Sequence, residues 1–214
     1  NENRTLTFRR NTGTVTTVAA AIGDNGTGVV SVNAGILNQR VYGTTALTGT
    51  NTYTGKTTVI YGALRADDGV GLPADSELVF NCNQYESDAG VLETSGTFDR
   101  QIGDEPGKVF WKYNTNRSGG GFAAYGGDLT VTLNNDNALE WDSATNGFNG
   151  TALALGSRTA TNKVELTNNL TLNGSRTIVI FDNSSSSTDS VLISGDITDG
   201  SAASRLTLAD GSGT

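Results

Sequence analysis

Residues Leu47–Ala66 read LTGTNTYTGKTTVIYGALRA, and the fold turns on how this stretch is understood. Its centre, GTNTYTGKT, looks like a phosphate-binding loop. Such a loop is G-x-x-x-x-G-K-[ST], a turn whose backbone N–H groups curl round a phosphate and lead into a helix. Gly55-Lys56-Thr57 supplies the end of that pattern, but its first glycine belongs where Thr50 stands, and Gly49 comes one residue too early. The following residues, Thr57-Thr58-Val59-Ile60-Tyr61, are four β-branched residues and an aromatic, which favour a strand over a helix. The nucleotide reading fails on spacing and on context. What remains is alternation, with Leu47, Tyr53, Val59, Tyr61 and Leu64 set between small polar residues. Gly49, Gly55 and Gly62 fall at expected corners, where they would permit positive φ. The stretch reads as one coil of sheet with tight turns.

The same pattern continues outward. Leu129-Thr130-Val131-Thr132-Leu133 alternates apolar and polar, as do Leu153-Ala154-Leu155, Leu170-Thr171-Leu172, Arg176–Phe181 and Leu206-Thr207-Leu208. Between them lie NNDN (134–137), TNGFNGT (145–151) and DNSSSSTD (182–189), all turn compositions. The one helix-like run, Val15–Ile22, sits among Thr and Gly without charged partners. Strands of ~4–6 residues at ~8–12-residue spacing suit a sandwich, a barrel or a β-solenoid, and internal repetition discriminates among them. RTLTF begins at Arg4 and RTIVIF at Arg176, an offset of 176 − 4 = 172. Gly23-Asp24 and Gly195-Asp196 share that offset, as do Gly28 and Gly200, while Gly43-Thr44 and Gly213-Thr214 differ by 213 − 43 = 170. Residues 1–214 therefore read as a single solenoid segment, slightly more than one copy of a tandem repeat of roughly 170 residues.

LTGTNTYTGKTTVIYGALR resembles the autotransporter-associated β-strand repeat, with its pattern L-x-G-x-N-T-Y-x-G-x-T-x-V-x-x-G-x-L. The matching positions are Leu47, Gly49, Asn51, Thr52, Tyr53, Gly55, Thr57, Val59, Gly62 and Leu64. Gly119–Leu133, Leu153–Ser157 and Asn168–Arg176 resemble the long modules that follow this repeat in very large bacterial surface proteins. The resemblance implies a right-handed parallel β-helix, secreted and often carried by an outer-membrane autotransporter. Within Val70–Val109, VFNCNQYESDAG and FDRQIGDEPGKV depart from it, and 67–109 is expected to be a loop-bearing insert region. The expected fold is all-β, a right-handed parallel β-helix of roughly nine coils at ~20–25 residues each. Its interior would hold Leu129, Val131, Leu133, Ile178 and Ile180. With coils ~4.8 Å apart, the rod would be about 40–45 Å long.

Composition narrows the function. Of the 214 residues 36% are hydrophobic and 17% charged, with 28 glycines, a net charge of −8 and a pI near 4.4. Arg9-Arg10 is an isolated basic pair, which gives no electrostatic footprint for nucleic acid. The absence of histidine removes Ser-His-Asp and Cys-His catalysis. Cys82 is the single cysteine, so no internal disulfide staples the chain, and coming after the strand LVF it is expected to pack or to be half exposed rather than to react. No signal peptide or apolar membrane-spanning run is visible, and the missing initiator Met suggests a fragment.

Three kinds of candidate site stand against plainer readings. Asp67, Asp68, Asp75, Glu77, Glu86, Asp88, Asp104 and Glu105, with Arg100, could supply the paired carboxylates of glycoside hydrolysis, and are otherwise solvated loop acids. Asn134–Asn137 and Asp67-Asp68-Gly69 are oxygen-rich enough for calcium, though Gly126-Gly127-Asp128-Leu129 is only a fragment of a calcium-binding nonapeptide. Trp111, Tyr113 and Trp141 could stack sugars, or pack in the core. Asn25, Asn149 and Asn173 begin N-x-[ST] sequons without expected consequence in a bacterial protein. The leading expectation is a structural, non-enzymatic repeat unit of an extracellular bacterial surface fibre or autotransporter-type adhesin, without cofactor or metal. Its expected partners are adjacent copies stacked head to tail, and surface glycans. The segment near Arg205–Ala209 is expected to meet a coil equivalent to Thr45–Ala66 of the next unit. The alternative is a carbohydrate-binding or polysaccharide-degrading β-helix.

Overall fold

The computed structural model describes residues 2–9, 11–37, 39, 42–82, 89–112, 119–142, 147–150, 152–200 and 203–211. In the opening stretch burial follows the strand period of two. Asn51, Tyr53, Gly55, Thr57 and Val59 are buried, while Thr52, Thr54 and Lys56 are exposed. The small polar side chains lie on the outside because the inside is filled by the alternate positions.

Nineteen strands are described, numbered in chain order. β1 (Arg4–Phe8), β3 (Val30–Ala34), β5 (Thr57–Val59), β7 (Leu78–Phe80) and β9 (Val109–Trp111) form one sheet. The longest ladder runs through β2 (Val15–Val18), β4 (Thr44–Leu47), β6 (Ala63–Arg65), β8 (Gly90–Arg100), β10 (Gly119–Leu133), β13 (Ala152–Gly156), β16 (Ser175–Phe181) and β19 (Arg205–Asp210). β14 (Lys163–Leu166) and β17 (Ser190–Ile193) branch from β10. A third sheet holds β12 (Gly147–Phe148), β11 (Leu139–Trp141), β15 (Leu170–Thr171) and β18 (Ile197–Thr198). Every ladder between these strands is parallel. Parallel neighbours joined through intervening faces make a β-solenoid, the expected all-β parallel coil.

The coil count differs from expectation: about six turns, not nine. The reason is coil length. The column Val15, Thr44, Ala63, Val91, Gly121, Ala154, Val179, Ala209 is in register throughout. Successive positions along it stand 19–33 residues apart, and every residue of its outermost strands β2 and β19 is exposed or half-buried. Long bent strands consume the extra residues. β8 and β10 pair along both halves, with a register shift between Ala124 and Leu129. Gly96 and Gly126, both at φ 79°, carry the chain round that corner, and the second half of β10 then pairs with β14. Within residues 67–109, β7 and β8 sit inside the ladders. RTLTF and the strand containing RTIVIF fall in different sheets, β1 and β16.

Two apolar layers hold the coils together. Inside, Val32, Thr57, Leu78 and Val109 stack in one column and Ala34, Val59, Phe80 and Trp111 in the next. Phe80 packs on Trp111 at 5.1 Å and edge-on to Phe122 at 5.5 Å. Leu129, Val131, Leu133 and Ile178 are buried as expected, and Ile180 is partly buried against the same core. Outside the long ladder, Ala63, Val91, Ala123, Ala154 and Val179 form a second layer with Ala160 of the segment after β13. Small side chains suit that layer because the segment lies close over the sheet. Cys82 is buried with Ile60 and Tyr61, so it packs rather than standing half exposed.

Candidate functional site

The motif residues are corner fittings. Asn51 is buried, and its amide accepts from Ile22 N–H (2.8 Å) and donates to Gly71 C=O (2.7 Å), so one side chain bridges the coils before and after it. Asn134 accepts from Ile102 N–H, and Asn168 accepts from Leu133 N–H while donating to Leu133 C=O. A primary amide suits these corners because it satisfies a backbone donor and a backbone acceptor together. Tyr53 hydroxyl meets Thr57 Oγ1 at 2.7 Å, Thr57 meets Ser76 at 2.8 Å, and Ser76 donates to Gly55 C=O at 2.6 Å. Burial raises the Tyr53 pKa.

Only one motif glycine has the expected positive φ, Gly62 at 63°. Gly49 and Gly55 are needed for clearance. A Cβ on Gly49 would stand 2.7 Å from Ala20 O, and one on Gly55 2.3 Å from Val30 O. The neighbouring coil's backbone passes where a side chain would begin.

Four of the carboxylate candidates, Asp67, Asp68, Glu77 and Asp104, make the contacts that follow, and Glu105 pairs with Lys108 at 2.5 Å. Arg100 is buried and pairs with Asp68, while donating to Ser76 C=O (2.6 Å) and Pro73 C=O (3.0 Å), so it pins a loop. Asp67 accepts from Thr94 hydroxyl at 3.3 Å. Glu77 and Asp104 meet at Lys56, whose Nζ lies 2.9 Å from Glu77 and 2.5 Å from Asp104. The Glu77 side chain is 4% exposed, and its Oε1 is buried with no hydrogen-bond partner among the described residues. Burial pushes its pKa above the usual range; Lys56 opposes the rise and the Asp104 carboxylate adds to it. Asp104 is held low by its hydrogen bond to Lys56. The Lys56 ammonium is stabilised by both carboxylates against its own desolvation and titrates higher than usual. Glu86 and Asp88 lie outside the described residues.

The tryptophans belong to the core. Trp111 and Trp141 are buried, and each indole donates to a carbonyl nine residues ahead, Gly120 at 3.0 Å and Gly150 at 2.7 Å. That shared geometry marks equivalent positions in β9 and β11, and neither ring is presented to a sugar. Tyr113 lies outside the described residues. Asn134, Asn135 and Asp136 take positive φ (52°, 54° and 61°), and oxygens of Asn134 and Asp136 serve the corner by accepting from Ile102 N–H and the Thr167 hydroxyl. Among the described residues no three Asp, Glu or Cys side chains gather as a metal cluster.

The end coils form the largest unsatisfied feature. Leu208 pairs in register with buried Ile178 yet is 63% exposed, and Ile197 pairs with buried Leu170 yet is 42% exposed. At the opposite end Leu6, in register with buried Val32, is 40% exposed. These inward-facing positions have no coil over them among the described residues. Sequence reasoning named Leu208 only as part of an alternating run and did not single out Leu6 or Ile197, because their alternation matches that of buried residues. No known protein-family profile matches the chain, and searches of characterised proteins and of solved structures return no similar one.

Proposed function

We propose that this chain is a structural, non-enzymatic segment of an extracellular bacterial surface fibre or autotransporter-type adhesin, lengthened by head-to-tail stacking of copies. The observation that carries the reading is the exposure of Leu208, Ile197 and Leu6, each continuing a buried column. Exposed edge strands recruit further strands, and contacts between unlike ends do not close, so they build filaments. The incoming edges are β1 and β2; the Thr45–Ala66 coil does not serve, because β4 is already paired on both sides by β2 and β6. Charge supports the same polarity. Residues 189–210 carry four Asp and one Arg, net −3, and residues 2–18 carry three Arg and one Glu, net +2. Opposite charges align such ends and speed their encounter.

Negative-stain microscopy and sedimentation across a concentration series test the reading. Wild type is expected to form rods that lengthen with concentration, and the paired variant Ile197→Lys, Leu208→Lys to remain short at an unchanged circular dichroism spectrum. Single-length particles of wild type at high concentration, or variant rods as long as wild type, would remove the proposal.

A further inference from the structure

Eight large apolar side chains are exposed among the described residues, and five belong to terminal strands of the ladders: Leu6, Val15, Leu192, Ile197 and Leu208. Two of the remaining three, Val70 (42% exposed) and Tyr125 (36%), line one groove on the flank of the rod. The groove holds about 350 Å³. Its lining comes from four successive rungs of the long ladder: Thr48 after β4, Arg65 and Asp67 from β6 onward, Thr94 and Ser95 in β8, and Tyr125 in β10. Three steps of ~4.8 Å make it about 14 Å long.

The tyrosine is held in place by a built support. Glu93 is fully buried and accepts from Arg65 Nε at 2.8 Å and from Ser157 hydroxyl at 2.6 Å, and Thr159 hydroxyl donates to it as well. The Arg65 guanidinium so fixed lies 3.2 Å from the centroid of the Tyr125 ring. A buried carboxylate thus orients a cation, and the cation orients an exposed ring over a groove. Ordering an aromatic side chain before a ligand arrives lowers the entropy cost of binding. The groove is also lined by exposed Thr48 and Ser95 and by the exposed Asp67 carboxylate, which accepts from the Thr94 hydroxyl.

We infer that this groove is a binding site for a short neutral oligosaccharide, with Tyr125 as its stacking platform and Asp67 as a hydrogen-bond acceptor. The alternatives fit worse. Anionic ligands meet Asp67 and a chain of net charge −8, while the nearby Arg65 is already neutralised by Glu93. An added peptide strand needs an open sheet edge, and on this flank β6, β8 and β10 are paired on both sides. The site lies away from both end coils, so it stands or falls independently of stacking.

Calorimetric titration with cellohexaose, chitohexaose, maltohexaose and hexagalacturonate tests the inference on wild type, Tyr125→Ala, Tyr125→Phe and Asp67→Ala. At least one neutral hexasaccharide is expected to bind wild type. Tyr125→Ala should weaken that binding at least about tenfold, the scale of one lost stacking platform, with Tyr125→Phe close to wild type and melting temperatures unchanged. Asp67→Ala should weaken it too. No neutral binding at millimolar sugar, binding indifferent to Tyr125→Ala, or equal binding of hexagalacturonate would each overturn the assignment.

Discussion

Asn51 shows what a single motif residue does in a coil whose backbone must be satisfied at every corner. Replacing it with Leu leaves Ile22 N–H and Gly71 C=O unpaired in the interior, a loss of about 2–4 kcal/mol readable by chemical denaturation. Gly55 and Gly126 separate two reasons for glycine. A Cβ at Gly55 meets Val30 O at 2.3 Å, whereas one at Gly126 meets nothing within 4 Å and pays only for φ 79°. Gly55→Ala should therefore cost ~1–3 kcal/mol or more, and Gly126→Ala ~1 kcal/mol; equal losses would reject the clearance argument. Glu77 adds a pH dependence whose sign is fixed. Its folded pKa lies above its ordinary 4.5, so folded chains keep a proton that unfolded chains release just above that value. Its contribution to stability is fullest below 4.5 and is lost as pH rises through the folded value. Asp104 runs the other way: its folded pKa lies below 3.8, so its contribution is present above 3.8 and lost as pH falls through the folded value. Glu77→Gln should melt higher than wild type at pH 7, by ~2–4 °C per kcal/mol recovered, with the gap closing towards pH 4.5. An equal or lower melting temperature at pH 7 would mean that the Lys56 ion pair outweighs burial.

At the scale of elements, Arg100 is the fastening between the second half of β8 and the loop that precedes β7. Arg100→Met should cost ~2–4 kcal/mol, less than a fully buried pair because Asp68 is partly exposed. Hydrogen exchange should accelerate first over Gly69–Ser76 while β10 stays protected; uniform acceleration would assign Arg100 to the core instead. This fastening was only half legible in the sequence. Arg100 stood among the charged candidates, but its partners are two backbone carbonyls and a carboxylate 32 residues away. Alternation announced the strands because one face of each is buried, and the failed phosphate-loop spacing announced strand 57–59. Coil length stayed hidden: β8 and β10 run through a corner at Gly96 and Gly126 without losing strand composition. The flank groove stayed hidden too, since Arg65, Glu93 and Tyr125 become neighbours only when coils stack in register.

For the whole molecule, the solenoid makes stability a nearest-neighbour property, because each coil touches mainly the coils above and below it. Interior positions such as Ala34, Val59 and Phe80 have a register neighbour on both sides. Among the described residues β1, β2 and β19 have a ladder partner on one side only, and their burial patterns show it. Local opening free energy follows such differences. Amide protection should therefore be lowest in β1, β2 and β19, rise inward, and peak in β8 and β10, where both halves of each strand are paired and Phe80, Phe98, Trp111 and Phe122 interlock. The gradient also separates assembly from folding. When copies stack, β19 and β2 gain the missing neighbour, so their protection should rise with protein concentration while that of β8 and β10 stays level. Ile197→Lys with Leu208→Lys should abolish the concentration dependence and leave the central protection intact. A flat profile at all concentrations would mean a single cooperative unit, and the end-stacking mechanism would lose its physical basis.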